Sequence, residues 1–389
     1  MEAPLKGLRV IELARILAGP WLGQTLADLG ADVIKVESPE GDDTRRWGPP
    51  FTKNADGSDA DAAYFHCCNR GKRSVVADFN SPADLAFVGR LIDRADVLIE
   101  NFKCGSLTKY GLDYETRASC HPRLIYCSIT GFGHTGPYAA RAGYDAMIQA
   151  MSGMMDLIGS PEGEPQKIGV ALADILTGVY GVVAVQAALA QRERTGIGQH
   201  IDLALLDTMV SVLANQALNF LVSGVTPRRL GNAHPNIVPY QVFSVQDGHV
   251  MIAVGNDAQF KRLCSVLELP EVGASPLFAT NADRVQRRNE LVAKLSSVLA
   301  MRRRDELLAA LEAVGVPAGP INTVSDVFVD PQVVSRGMQV MLAAPGYAGG
   351  RLPSVRSPLQ FSGAALTLSR PAPRLGEHTA MVKAEIGMG

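Results

Sequence analysis

At 389 residues the chain exceeds what one ordinary core accommodates and points to two domains. A hydrophobic share of 47% against 20% charged residues describes a globular protein with an extensive core, and a net charge of −2 argues against a polyanionic partner such as nucleic acid. Six cysteines without CxxC spacing and seven dispersed histidines argue against a zinc module or a disulfide scaffold.

The opening MEAPLKGLRV lacks the long apolar core of a signal peptide, so a reducing cytoplasm is the expected compartment. GLRVIEL is a short β-rich run; GPWLGQTLADLGA follows with Leu22, Leu26 and Leu29 at helical spacing, and ADVIKVE returns to a strand. The cycle repeats through KRSVVADF (strand), SPADLAFVGRLIDRA (helix, Ser81 as N-cap and Pro82 at its first position) and DVLIENF (strand); PRLIYCSIT is a further strand. Continuous Val/Ile/Leu runs between helices predict a parallel sheet covered on both faces, a Rossmann-like α/β layer.

The apolar stretch 169–190 contains Asp174, Thr177 and Gln186 and reads as a buried core helix rather than a membrane span. From 174 to about 222 the pattern is helical, broken at RERTGIGQ. A Gly/Pro-rich connection, SGVTPRRLGNAHPNIVPY, leads into a short β pair (YQVFSV, DGHVMIAVG) and helices with Arg/Glu-rich faces. The expected organisation is a large domain over 1–222, a smaller α+β domain over 223–325, and a segment 326–389 that returns to the large domain.

Three short motifs admit both a functional and a structural reading. GFGHTG at 131–136 fits G-x-G-x-x-G after a strand, but Pro137 follows at once and no helical face continues through YAARAGYD. No strand ending in an acidic residue follows where a ribose would be held, so a turn-forming loop is the better reading than a dinucleotide site. Cys67 and Cys68 have no partner motif and read as structural. Arg302, Arg303 and Arg304 read as a solvated helix face.

Asp174 is the residue that does not fit its surroundings. A carboxylate in an apolar run is costly without partners. It could cap the following helix, since Asp is a favoured cap. Equally, a carboxylate at a helix N-terminus, held anionic by the free N–H groups and the macrodipole, is a usable nucleophile toward a thioester.

Along essentially its whole length the sequence resembles the class III CoA-transferases, the CaiB/BaiF-type family, with a likeness to those serving succinyl-CoA and dicarboxylates. The landmarks come in order: LKGLRVIELARILAGP, LADLGADVIKVESPEGDDTR, YFHCCNRGKRSVVADF, ADVLIENFKCGSLTKYGLDY, PRLIYCSITGFGHTGPYAARAGYDAMIQA, VALADILTGVYGVVAVQAALAQRERTGIGQHIDLALLD and PRLGEHT. The resemblance implies that Asp174 is the nucleophile. It implies CoA contacts at Ile16, Leu17 and Ala18, at Ala77 to Asn80, at Asn101, Phe102 and Lys103, and at Lys109. Both lysines suit phosphates as point charges. Some relatives carry Gln at position 17 and Lys at position 80, where this chain has Leu17 and Asn80, so any polar help to an acyl intermediate comes from elsewhere.

The resemblance further implies substrate contacts at Tyr144 and Asp145, and an interlocked homodimer. A loop from the 226–240 region would close the acyl pocket, where Arg228, Arg229 and His234 could meet a second carboxylate. No metal, and no cofactor beyond coenzyme A as co-substrate, is expected. The implied reaction moves CoA from an acyl-CoA donor to a small carboxylic acid through an aspartyl-acyl anhydride. Alpha-methylacyl-CoA racemases are similar but carry Gly-His-Asp where this chain reads Gly143-Tyr144-Asp145. A racemase needs two acid/base groups, and a tyrosine, ionising at about pH 10, replaces histidine poorly. A CoA-binding protein without turnover is the other alternative.

Overall fold

Residues 1–388 are described by a computed structural model. The first strands are β1 (Arg9–Glu12), β2 (Asp32–Glu37), a small hairpin of β3 (Phe51–Lys53) and β4 (Asp59–Ala62), β5 (Arg73–Val76), β6 (Val97–Glu100), β7 (Ile125–Thr130) and β8 (His200–Ala204). All but the hairpin join one parallel sheet in the order β5-β2-β1-β6-β7-β8. Because successive side chains on a strand point to opposite faces, the strands feed two separate cores. Val10, Val97, Ile99 and Ile125 pack with the helices Ala18–Asp28 and Leu172–Thr195. Ile11, Ile34, Leu98 and Tyr126 pack with the helix Pro82–Ile92 and the terminal helix Thr379–Glu385. Apolar burial on both faces is why the strands read as unbroken hydrophobic runs.

The strand order reverses between β1 and β6. The loops that leave their carboxyl ends therefore diverge, and in open α/β sheets such a crevice is where ligands bind. Here those loops are Leu13–Leu17 and Asn101–Lys103.

The chain forms two compact units: residues 1–154, 167–224 and 331–389 make one, and residues 155–166 with 225–330 make the other. Within the second unit β9 (Tyr240–Val245), β10 (Gly248–Ala253) and β11 (Ala318–Pro320) form an antiparallel sheet in the order β11-β10-β9. Its core includes Phe243, Ile252, Phe260 and Leu295. The pair β12 (Gln339–Ala343) and β13 (Arg351–Val355) belongs to the first unit. So does the last helix, fixed to β5 by the Val76 amide donating to Thr379 Oγ1 (3.0 Å) and by Arg73 pairing with Glu385 (2.8 Å).

Two departures from the sequence reading stand out. Residues 200–204, read as part of a helical region, are the sixth strand of the sheet; five residues at a sheet edge carry too short a pattern to announce themselves. Residues 155–166, assigned to the large domain, belong to the second unit. There the Gly231 amide donates to the Gly159 carbonyl (3.1 Å) and Arg229 pairs with Asp156 (2.6 Å). Sequence distance hides this, since the partners lie some seventy residues apart.

The helix Leu172–Thr195 is the one described helix that is long and apolar enough on its own to cross a membrane, with mean hydropathy 1.7. It packs against the helix Ala18–Asp28, where Gly178 admits the Ala18 carbonyl and Trp21. A Cβ on Gly178 would lie 2.8 Å from that oxygen.

Candidate active site

Asp174 is the third residue of its helix, whose N-cap, Ala171, offers no side-chain bond. The cap comes from Asp145 instead. Its Oδ1 accepts the Ala173 amide at 2.7 Å and the Asp174 amide at 3.3 Å, while its Oδ2 accepts Gln149 Nε2 at 2.7 Å. Gln149 is buried and its Oε1 accepts the Ile168 amide at 2.9 Å, so the cap is itself braced. Capping therefore does not explain Asp174: another carboxylate does that work.

Among the described residues the Asp174 carboxylate makes no ion pair, and burial together with the neighbouring Asp145 charge pushes its pKa up to about 7. The expectation that the helix N-terminus holds it firmly anionic is thus corrected. The amides meant to stabilise it are spent on Asp145. A carboxyl raised toward neutrality exchanges readily between its acid and carboxylate forms, which suits a group that must both attack and depart.

Asp174 opens into a cavity of about 350 Å³ that is also lined by Ile16, Leu17, Ala18, Asn101, Phe102, Lys103, Tyr144 and Asp145. Arg15 and Phe102 also line an adjoining cavity of about 460 Å³ at the carboxyl ends of β1, β2 and β5, together with Ala77, Phe79 and Asn80. Phe79 and Phe102 stack there with centroids 6.1 Å apart. The two cavities make one long crevice at the sheet's reversal point.

Not every expected contact survives in the form expected. Asn101 is occupied: its Oδ1 accepts the Arg15 amide (3.0 Å) and its Nδ2 donates to the Arg15 carbonyl (2.7 Å), so it shapes the loop after β1. Asn80 donates to its neighbour Asp78 at 3.0 Å. Lys109 lines neither cavity and sits over the Tyr110 ring at 4.6 Å. Lys103 is exposed, lines the cavity and has no ion pair among the described residues. We expect Lys103→Ala to raise KM for acyl-CoA about tenfold with kcat changed far less, as for lost uniform binding, and Lys109→Ala to act more weakly. Steady-state kinetics against acyl-CoA checks both; a kcat loss without a KM change would place Lys103 in the chemical step.

His234 belongs to the second unit, where its Nδ1 accepts the Asn236 amide at 3.0 Å and its ring lies 5.2 Å from Tyr240. Burial, then Arg288, lowers its pKa, so it is neutral at physiological pH and a poor anchor for an anion. Arg229 is committed to Asp156. Both departures come from contacts that only folding creates.

The sequence reading missed three residues here. Arg141 lines the Asp174 cavity, is exposed, has no ion pair among the described residues, and stacks over Tyr138 at 4.5 Å and Phe132 at 5.3 Å. Arg15 lines both cavities and pairs with Asp43 at 2.7 Å. Tyr64 lies close enough for Asp174 to raise its pKa, although burial is the larger cause. No spacing signal marks any of them.

The G-x-G-x-x-G match also resolves. No helix follows it until Asp145–Met151; Gly131 instead approaches Gly143, where a Cβ on Gly131 would lie 2.6 Å from the Gly143 Cα. These glycines are needed for that backbone contact, which sets Tyr144 and Asp145 beside the cavity.

A doubly wound α/β sheet with a carboxylate, Asp174, in its reversal-point crevice has the form of a small-molecule site. The chain belongs to CoA-transferase family III, whose model matches residues 5–379. It is 56% identical over 386 residues to the succinate–glutarate CoA-transferase of Agrobacterium fabrum, covering 99% of this chain and 96% of that one. It is 41% identical over 384 residues to the succinyl-CoA:glutarate CoA-transferase of Mus musculus, covering 98% and 86%. Among solved structures, a CAIB/BAIF family protein from Brucella suis matches with a TM-score of 0.87 and 59% identity, covering 99% of this chain and 100% of that one.

Proposed function

We propose that this enzyme moves CoA from succinyl-CoA to a small dicarboxylic acid of the glutarate kind, with Asp174 as nucleophile. The observation that carries the reading is the unpaired Asp174 carboxylate, capped in place by Asp145, in the crevice of a family III chain.

Asp174 attacks the thioester carbonyl; the C–S bond breaks and CoA leaves as thiolate, giving an aspartyl-acyl anhydride. The acceptor carboxylate attacks the Asp174 carbonyl of that anhydride and releases the first acid. The retained thiolate then attacks the acceptor acyl carbonyl and frees Asp174. Thioester energy passes along each step, so no metal or redox cofactor is required beyond CoA itself. The long crevice takes the nucleotide end near Phe79 and Phe102, with Lys103 available to a phosphate.

The dicarboxylate preference rests on the names of the relatives and on Arg141, a guanidinium held by two aromatic rings in the same cavity. Planar, bidentate recognition of a second carboxylate is what such a group does well. Arg141→Gln should raise KM for glutarate at least tenfold while leaving KM for a monocarboxylate of equal length within about threefold. Equal effects on both acids would remove Arg141 from recognition.

We assign the active form as a homodimer. Val179, Tyr180 and Val183 on one helix, and Leu218, Phe220, Leu221 and Val222 on the helix Ala214–Ser223, are exposed, Val222 at 83%. Apolar surface of this extent ordinarily meets a partner. Six free cysteines are in keeping with a reducing cytoplasm.

Hydroxylamine trapping tests the mechanism: incubation with succinyl-CoA should leave a hydroxamate that peptide mass spectrometry maps to Asp174. Modification only at another carboxylate would overturn the assignment. In D2O the alpha carbon should gain no deuterium beyond background. Rapid exchange there without acyl transfer would favour the racemase reading instead.

A further inference from the structure

We infer that Asp42 is a positioning residue that holds Ile16 in a left-handed backbone conformation and thereby presents the Leu17 and Ala18 amides to the acyl group on Asp174. This rests on the nucleophile reading of Asp174.

The loop from Ala14 to Ile16 is held on both sides by side chains. Lys35 Nζ donates to the Ala14 carbonyl at 2.7 Å, and Asn101 grips both sides of Arg15. The Ile16 amide donates to both oxygens of Asp42, at 3.3 and 3.2 Å, and its carbonyl accepts Cys68 Sγ at 3.6 Å. The Leu17 carbonyl accepts the Trp21 amide, and Lys72 Nζ donates to the Pro20 carbonyl at 2.8 Å. Lys35 and Lys72 share the buried Glu12 carboxylate, and Lys35 also pairs with Asp42 at 2.9 Å. All four charged side chains are buried. Lys35 and the Thr44 bonds outweigh burial and hold Asp42 ionised, with a pKa of about 2.

Ile16 has φ 72°, a conformation that disfavours β-branched residues strongly. Nothing local favours it, and the clamp supplies the restraint. Its consequence lies downstream. Leu17 starts the helix Ala18–Asp28 without a side-chain cap, and the amides of Leu17, Ala18 and Gly19 have no partner among the described residues. Leu17 and Ala18 line the cavity with Asp174. Ala18 also touches Gly178, which lies one helical turn beyond Asp174 on the same face. Free amides beside a carbonyl that becomes tetrahedral act as an oxyanion site.

Asp42→Ala should lower kcat for acyl exchange by about 30- to 100-fold, in the range of one lost oxyanion donor. KM for acyl-CoA should stay within about threefold. Adding Ile16→Gly to that variant should recover at least about fivefold in kcat, because glycine enters the left-handed region without restraint. A purely structural role predicts the reverse: a second core change would add damage. Circular dichroism and thermal melts establish folding; if Asp42→Ala does not fold, Asp42→Leu, similar in volume and without an acceptor oxygen, carries the same comparison. Wild-type kcat in a folded Asp42 variant, a loss confined to KM, or no recovery with Ile16→Gly would each overturn the clamp. Failure of the nucleophile reading is distinguishable, since it shows as wild-type exchange without a hydroxamate on Asp174.

Discussion

At pH 8, Asp174→Asn is expected to abolish acyl exchange, by at least about 10⁴-fold, while making the protein more stable. The loss follows from removing the nucleophile, since the neighbouring carboxylate, Asp145, is spent on the helix cap and on Gln149. The gain follows from linkage. Burial and the Asp145 charge raise the folded pKa of Asp174 to about 7, well above its unfolded value of 3.8. A carboxyl raised in this way contributes stability that is full below pH 3.8 and disappears as pH rises through about 7. Above that pH the wild type carries a charge its surroundings disfavour, and the neutral asparagine does not. The raised pKa sets a ceiling of about 4 kcal/mol; because the group opens onto a crevice, about 1–3 kcal/mol is the expected gain. Chemical denaturation at pH 8 and pH 4 checks this: the variant should lead at pH 8 and match the wild type at pH 4. Equal stabilities at both would mean Asp174 titrates normally. A large destabilisation would mean it supports the helix after all.

The second expectation is a steep acid limb. Only the carboxylate attacks, so kcat/KM should fall about tenfold for each pH unit below 7, reaching about one per cent of its plateau at pH 5. Asp145→Asn should move this limb to lower pH, since it removes the like charge. The limb should stay above the ordinary carboxylate range, because burial is the larger cause. Asparagine keeps an oxygen for the Ala173 and Asp174 amides, but its NH2 faces Gln149 Nε2, so a modest loss of stability accompanies the shift. Asp145→Ala removes the cap entirely and should cost about 1–2 kcal/mol. A pH profile recorded with saturating acceptor decides the matter. An unmoved limb in Asp145→Asn would mean that the limb belongs to another group.

The predicted strands of the parallel sheet were legible because apolar periodicity reports burial directly, and a doubly covered sheet leaves long Val/Ile/Leu runs. The oddity of Asp174 was legible for the same reason: a carboxylate breaks an apolar run visibly. The family could be read from ordered motifs, and with it the kind of chemistry. The sequence alone could not tell whether Asp174 capped its helix, because that depended on Asp145, twenty-nine positions away and close only after Gly131 and Gly143 pack together. Nor could it show that Asn101 would be spent on Arg15, that Arg229 would close on Asp156, or that 200–204 would complete the sheet. Local pattern determines which segments are strands and helices, since backbone preference and burial act within a few residues. The ionisation of Asp174, the strain at Ile16 and the free amides beside it were decided by tertiary structure, because charge, desolvation and hydrogen-bond pairing depend on which distant groups are brought within a few ångströms.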